Sequence, residues 1–83
     1  MTVIKGIEKF LLTEVAADLG KQSLGPDEDL LEQRVIDSMS ILKLVVFLEK
    51  EHNIKVVDED IIPENFQSLN SMARFVEQKM QNR

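Results

Sequence analysis

Apolar residues recur at helical spacing in three stretches of the chain, and segments rich in Gly, Pro and acidic residues separate them. The first stretch predicts a helix that Thr2 can cap and that runs to about Leu19, with Gly20 as a plausible stop. Its apolar stripe comprises Ile4, Ile7, Leu11 and Val15, widened by Val3, Leu12 and Leu19. No stretch of useful length alternates with the period of a strand, so the pattern predicts an all-α fold.

A long connection follows, from Lys21 to Asp37, and it contains Gly25-Pro26 and a run of acidic residues. Its apolar residues are Leu30, Leu31, Val35 and Ile36. A loop of this length in a small domain is usually functional or packed by its own side chains. We therefore expect this segment to pack over the helices.

The second half of the chain predicts two further main helices and one short one. A helix begins at Asp37-Ser38 and reaches about His52. After an irregular segment, Pro63 to Phe66 is typical of a single helical turn with Pro in its first position. Ser68 can cap a last helix, whose apolar stripe is Leu69, Met72, Ala73, Val76 and Met80. The prediction is one domain, residues 1–83: a small four-helix bundle with three main helices, one short helix and a long first loop.

The helix after Asp37 is apolar over more of its circumference than one side of a bundle requires, which is about 100°. One sector contains Ile41, Leu44, Val45 and Leu48, a separate sector contains Met39, Leu42 and Val46, and Phe47 lies roughly opposite the first sector among Ser40, Lys43 and Lys50. Either the helix is buried on most sides, or the second sector is an exposed docking stripe. Periodicity alone leaves both interpretations open.

Composition and charge narrow the classes of function. The 83 residues carry a net charge of -5, which disfavours nucleic-acid binding and suits partners with basic patches. There are no cysteines, so disulfides and thiolate zinc sites are excluded and any thiol must come from an added group. Lys5, Glu8 and Lys9 interrupt the apolar N-terminal segment, and no apolar run approaches membrane-spanning length. We expect a cytoplasmic monomer without membrane association.

Catalytic residues and metal ligands are not predicted. Ser38 and His52, the only histidine, would lie about 21 Å apart on one helix, far beyond hydrogen-bond reach. The acidic runs 27–29 and 58–60 lack the spacing and glycine of a calcium-binding EF-hand loop, so solvated turns are the simpler interpretation. The three glycines are scattered and form no phosphate-binding loop.

Ser38 is the residue with the most specific context. An isolated Asp-Ser pair is usually a helix cap, but a hydroxyl at a helix N-terminus also lies where the dipole and free amides favour a phosphate ester. Six short segments of the sequence place Ser38 in a wider context. They are Leu30-Leu31-Glu32, Val35-Ile36-Asp37-Ser38-Met39, Leu44-Val45-Val46-Phe47-Leu48-Glu49, Ile54-Lys55-Val56, Asp58-Glu59-Asp60 and Phe66-Gln67-Ser68-Leu69. Together they resemble acyl and peptidyl carrier proteins over essentially the whole chain.

The resemblance implies a stand-alone carrier protein and not an enzyme. Ser38 would receive 4'-phosphopantetheine from coenzyme A through a phosphopantetheinyl transferase, with Asp37 helping to hold metal and substrate. The arm would carry an acyl or aminoacyl group as a thioester, loaded by an adenylating ligase or an acyltransferase and passed to downstream biosynthetic enzymes. Met39, Leu42 and Val46 would face partners, whereas Leu44, Val45 and Leu48 would fill the core.

Some positions depart from the fatty-acid carriers that the chain resembles. Ser40 and Lys43 stand where those carriers usually have acidic residues, and no glycine directly precedes Asp37. The run from Asp58 to Leu69 also looks more like carriers of amino acids and specialised acyl groups. We therefore expect loading by an adenylating ligase in specialised or secondary metabolism. The alternatives are a housekeeping fatty-acid carrier, or an unmodified helical interaction module in which Ser38 is only a cap.

Overall fold

The computed structural model describes residues 3–15 and 23–81. The predicted cap at Thr2 and the predicted stop at Leu19 and Gly20 lie outside the described residues. Within the described ranges the secondary structure is helical, without a strand, and the all-α prediction is confirmed. No helix in this part of the chain is both long and apolar enough to cross a membrane.

The first helix, α1, spans Val3–Phe10 and continues as a π-helical segment, Leu11–Val15. Ile7 and Leu11, the centre of the predicted stripe, are fully buried. The widened turn was not predicted, because an apolar repeat of three and four residues fits both kinds of helix. At this turn the Thr13 hydroxyl donates a hydrogen bond of 2.8 Å to the Lys9 carbonyl, a side-chain bond that competes with the helical backbone pattern.

The long connection packs over the helices, as predicted. Its buried side chains are Leu24, Leu30, Val35 and Ile36, and Leu31 is half-buried. Two backbone hydrogen bonds join it to the segment where the last helix begins. Leu30 N–H donates to the Gln67 carbonyl at 2.7 Å, and Asn70 N–H donates to the Pro26 carbonyl at 3.0 Å. The loop is therefore part of the core, and it holds the chain in place just before the next helix.

Helix α2 spans Ser38–His52 and ends at Asn53, which adopts the left-handed conformation (φ 55°) common at helix C-termini. The short helix α3 spans Pro63–Phe66 with the proline in its first turn, and α4 spans Leu69–Gln81. Ser68 Oγ accepts the Ser71 N–H at 3.1 Å, which is the predicted cap. These boundaries agree with the predicted ones to within one residue.

The connection between α2 and α3 is fastened to α4 by one acidic residue. Asp60, the last residue of the 3₁₀ turn Asp58–Asp60, pairs with Lys79 Nζ at 2.6 Å and accepts the Val57 N–H at 3.0 Å. Burial raises the pKa of Asp60, but the hydrogen bonds from Lys79 and Val57 outweigh it and the net pKa is lowered. Asp60 is thus a structural anchor as well as part of an acidic surface turn.

Helix α4 is the central packing partner, since α1, α2 and α3 all contact it. Its predicted stripe is buried from Leu69 to Val76, whereas Met80 at the end of the helix is 36% exposed. Phe75, which was outside that stripe, is also buried and contacts Phe66 with a ring separation of 5.5 Å. The core therefore extends further around α4 than its simple repeat indicates.

Candidate functional site

Ser38 is the first residue of α2, and its side chain is exposed. The preceding residue, Asp37, is extended and caps the helix: its Oδ1 accepts the backbone N–H of Ser40 at 2.9 Å. The sequence left open whether Asp37 or Ser38 acts as the cap, and the structure assigns this role to Asp37. The Ser38 hydroxyl is consequently available for other chemistry while the first turn of α2 keeps its cap.

The charge of Asp37 follows from the same geometry. Hydrogen bonds from the backbone N–H and then the side chain of Ser40 lower the pKa of Asp37 below its usual value of 3.8. At neutral pH the residue immediately before Ser38 therefore carries an ionised carboxylate. Such a carboxylate can hold a cation that accompanies a phosphorylated substrate.

The position of this site is set by the buried residues just before it. Val35 and Ile36 are only 6% and 3% exposed, and their N–H groups both donate to the Leu30 carbonyl at 2.9 and 3.3 Å. Two consecutive buried side chains fix the direction in which the chain enters α2. The short turn also places Arg34 in the left-handed region, with φ of 62°. Ser38 is thus presented at the surface by a well-anchored backbone.

The residues present fit a phosphopantetheine group esterified to Ser38. An exposed hydroxyl at the start of a 15-residue helix lies at the positive end of its dipole, where backbone N–H groups point away from the helix. A phosphodiester is an anion and is stabilised at such a position. Since Ser38 does not serve as the cap, esterification would not remove a hydrogen bond that holds α2.

The two apolar sectors of α2 have different surroundings. Leu44 and Leu48 are fully buried, which confirms them as core residues, while Ile41 and Val45 are half-buried against the core. The second sector is exposed: the exposed fractions are 69% for Met39, 57% for Leu42 and 52% for Val46. The interpretation of α2 as a helix buried on most sides is therefore wrong. Whether the exposed residues bind partners stays a prediction, and we call these three residues the α2 stripe.

Other predicted features do not join this site. His52 is the last residue of α2 and Ser38 the first, so the two lie at opposite ends of the helix. Across residues 3–15 and 23–81, no group of three or more acidic or histidine side chains is arranged to hold a metal ion. Two residues of the acidic run 27–29 instead accept hydrogen bonds from nearby backbone N–H groups. Glu28 accepts the Gly25 N–H and Asp29 accepts the Glu32 N–H.

One feature of α2 was not found from the sequence. Phe47, which lies away from the core sector, is half-buried because its ring stacks on that of Phe10 in α1, with centroids 4.4 Å apart and planes at 15°. Its place among polar residues was visible in the sequence, but its partner was not. Beside this pair is an open groove of about 430 Å³ lined by Phe10, Glu14, Lys43, Val46 and Phe47.

Comparisons with known proteins agree with this geometry. Residues 9–76 match the family described as "Phosphopantetheine attachment site". The chain is also 31% identical over 74 residues to "Probable acyl carrier protein PigG" of Serratia sp. (strain ATCC 39006), covering 86% of this chain and 85% of that protein. The family match covers well over half of the chain. The chain therefore belongs to the phosphopantetheine-attachment family, the carrier proteins that bear a covalently bound phosphopantetheine group.

Proposed function

We propose that Ser38 bears the phosphopantetheine arm and that the protein carries an acyl or aminoacyl group on it, as a thioester, between partner enzymes. The observation that supports this most directly is the division of roles at the start of α2. Asp37 caps the helix, and the adjacent Ser38 hydroxyl is exposed at the helix N-terminus. The role of the chain is presentation and transport, and the chemistry belongs to the enzymes that it visits.

The attachment step requires a separate transferase and coenzyme A. Ser38 Oγ forms a bond to the phosphorus atom next to the pantetheine, while the pyrophosphate linkage of coenzyme A breaks and adenosine 3',5'-bisphosphate leaves. The hydroxyl proton passes to a base of the transferase. Asp37, the ionised residue that precedes Ser38, would help to hold the metal ion that accompanies the phosphates. The arm then supplies the only thiol, because the chain has no cysteine.

The test is incubation with a broad-specificity phosphopantetheinyl transferase and coenzyme A, followed by intact-mass measurement and maleimide labelling. The wild type should gain one phosphopantetheinyl group and one label. Ser38→Ala should gain neither, and its free energy of unfolding should change by no more than about 0.5 kcal/mol, because the residue is exposed and is not the cap.

The matched control is Ser40→Ala, two residues along the same helix, which loses the side-chain hydrogen bond to Asp37 but keeps the backbone N–H that donates to the cap. It should be labelled like the wild type. Labelling of Ser38→Ala at the wild-type level would refute the assignment. A wild-type chain that takes up no group at all would favour the unmodified interaction module instead.

For the cargo, we propose an amino acid or a small carboxylic acid that an adenylating ligase loads. Lys43 is exposed on α2 and, with Ser40, removes negative charge from the helix that fatty-acid enzymes usually engage through basic patches. Charge complementarity mainly determines the encounter rate and the choice of partner. The similarity to a named acyl carrier protein supports carrying in general and does not distinguish between these cargoes.

The corresponding assay offers the phosphopantetheinylated protein to adenylating ligases encoded nearby and, separately, to a malonyl transferase of fatty-acid synthesis. We expect a ligase to load the protein and the malonyl transferase to load it poorly. Lys43→Glu should improve the malonyl loading. Lys55→Glu makes the same change of charge at an exposed position outside α2 and should have less effect. Efficient malonyl loading without a response to any ligase would overturn the proposed cargo and leave the carrier function unaffected.

A further inference from the structure

Beside the stacked Phe10–Phe47 pair lies an open apolar groove that is distinct from the α2 stripe. We call it the aromatic groove; Phe10, Glu14, Lys43, Val46 and Phe47 line it, and its volume is about 430 Å³. Its walls come from two elements, α1 with its π-helical continuation on one side and α2 on the other. The stacked rings are half-buried, so the groove has an apolar floor that remains open to solvent.

The aromatic groove is continuous with the α2 stripe. Val46 belongs to both surfaces, and Lys43 lies next to Leu42 in the chain, on the side that faces the groove. An enzyme that covers Val46 therefore reaches the edge of the groove. Three side chains are also a small contact area, whereas a standard protein interface buries about 800 Å² on each partner. A partner that also covers the adjoining groove contacts more apolar surface than the stripe alone offers.

The charges at the rim indicate which chemistry fits. Lys43 on α2 and Glu14 on the π-helical segment are both exposed, and they have opposite signs. Most of the surface of an acidic protein repels carboxylates, but at Lys43 a carboxylate is favoured locally. Glu14 favours a cation. An occupant complementary to both would present an apolar side chain to the rings, an acidic group to Lys43 and a basic group to Glu14.

We propose that the aromatic groove docks the enzyme that loads the arm, through an apolar side chain of that enzyme flanked by one acidic and one basic residue. This inference rests on the proposed function, because it concerns a partner that recognises the phosphopantetheinylated protein. It adds α1 to the recognition surface. The groove thereby distinguishes loading enzymes that contact both α1 and α2 from enzymes that contact the α2 stripe alone.

The experiment compares two charge reversals, Glu14→Lys in the groove and Glu77→Lys on the exposed surface of α4. Both raise the net charge by the same amount, and Glu77 does not line the groove. Each protein is converted to its phosphopantetheinylated form and checked by intact mass and melting temperature. Its loading is then measured with the enzyme that loads the wild type in the cargo assay.

We expect Glu14→Lys to lower kcat/KM for the carrier about five- to tenfold, with the loss in KM, because docking and not the chemical step is affected. Glu77→Lys should change kcat/KM less than about twofold. High ionic strength should reduce the difference between the two variants, since it screens exposed charges.

Equal effects of the two reversals would overturn the groove assignment alone. A wild-type protein that dimerises at the assay concentration, and that Glu14→Lys converts to a monomer, would assign the groove to a second copy and also overturn it. If the wild type accepts no arm or no cargo, the proposed function fails, and the assignment of the groove to a loading enzyme fails with it.

Discussion

At the scale of single residues, Asp37 caps α2 and leaves the neighbouring Ser38 exposed, so the cap and the candidate attachment site are separate side chains. A serine that caps its own helix uses its hydroxyl oxygen to accept a backbone N–H, and esterification would disturb that bond. Here Asp37 supplies the capping oxygen. The Ser38 hydroxyl can therefore be modified while α2 keeps its N-terminal hydrogen bond, so modification need not change the stability of the helix.

The lowered pKa of Asp37 predicts how this cap depends on pH. Because the folded-state pKa lies below the usual value of 3.8, the ionised cap stabilises the fold above that value, and the contribution is lost as pH falls through the folded-state pKa. Asp37→Ala should therefore be less stable than the wild type at neutral pH, and the difference should shrink in acid. Urea unfolding of both proteins at pH 7 and at a series of values descending from pH 3.8 measures this. A difference that is unchanged in acid would contradict the role of the carboxylate.

At the scale of elements, α2 has two apolar faces with different surroundings. Leu48 is fully buried and holds the helix in the bundle, whereas Leu42 is 57% exposed and contributes little to the core. An exposed stripe of three large apolar side chains on one helix is an unfavourable surface unless a partner covers it at some stage. The predicted docking of partner enzymes would cover the stripe, and its small area suits docking that is weak and repeated.

Truncation should separate the two faces of α2. Leu48→Ala should cost about 2–5 kcal/mol of unfolding free energy, because it leaves a cavity in the core. Leu42→Ala should leave the melting transition nearly unchanged and weaken docking to the transferase or to the loading enzyme. Met80→Ala, also an exposed apolar position but on α4, is the control and should affect neither docking reaction. Should Leu42→Ala destabilise the protein as strongly as Leu48→Ala, the assignment of faces is wrong.

The connection between α2 and α3 is an element in its own right, held at both ends by carboxylates. Glu49 Oε2 on α2 accepts the Val56 N–H at 2.8 Å, and Asp60 pairs with Lys79 on α4. Lys79 Nζ also lies 5.9 Å from the centre of the Phe75 ring. These contacts replace the backbone hydrogen bonds that an irregular segment lacks. They keep α3, which has only four residues, in a defined position.

At the scale of the whole molecule, the protein is acidic, and its carboxylates include some that accept hydrogen bonds and some that are exposed to solvent. Fifteen acidic residues face ten basic ones in a chain of 83 residues. Some carboxylates accept local hydrogen bonds from backbone N–H groups, as those of Glu28 and Asp29 do. Their mutual repulsion opposes compaction, and the same field attracts partners with basic patches.

Moderate salt should therefore raise the melting temperature, because screening weakens this repulsion more than it weakens a short ion pair such as Asp60–Lys79. Thermal unfolding followed by circular dichroism at increasing concentrations of sodium chloride measures the effect. Asp58→Asn, which removes one exposed charge, should raise the melting temperature at low salt and should reduce the response to salt. A melting temperature that falls as salt is added would show that attractive pairs dominate.

The sequence by itself determined where most elements begin and end, because those signals are local. Asp37 accepts an N–H three residues ahead, Pro63 lacks the N–H that a first helical turn does not use, and Ser68 caps α4 in the same way as Asp37 caps α2. The candidate attachment residue was also predicted from the sequence, because segments along essentially the whole chain resemble carrier proteins and align Ser38 with the modified serine. The π-helical widening after Phe10 has no comparable local signal and was missed.

Only the tertiary structure decided which faces of the helices are covered. The repeat of apolar residues in α2 fits a fully buried helix as well as one with an exposed stripe, and only the positions of α1 and α4 distinguish them. The Phe10–Phe47 stack and the Asp60–Lys79 pair likewise join residues far apart in the chain. Such contacts depend on the relative placement of whole helices, which no local pattern of side chains encodes. The aromatic groove, formed between two such helices, therefore became visible only in three dimensions.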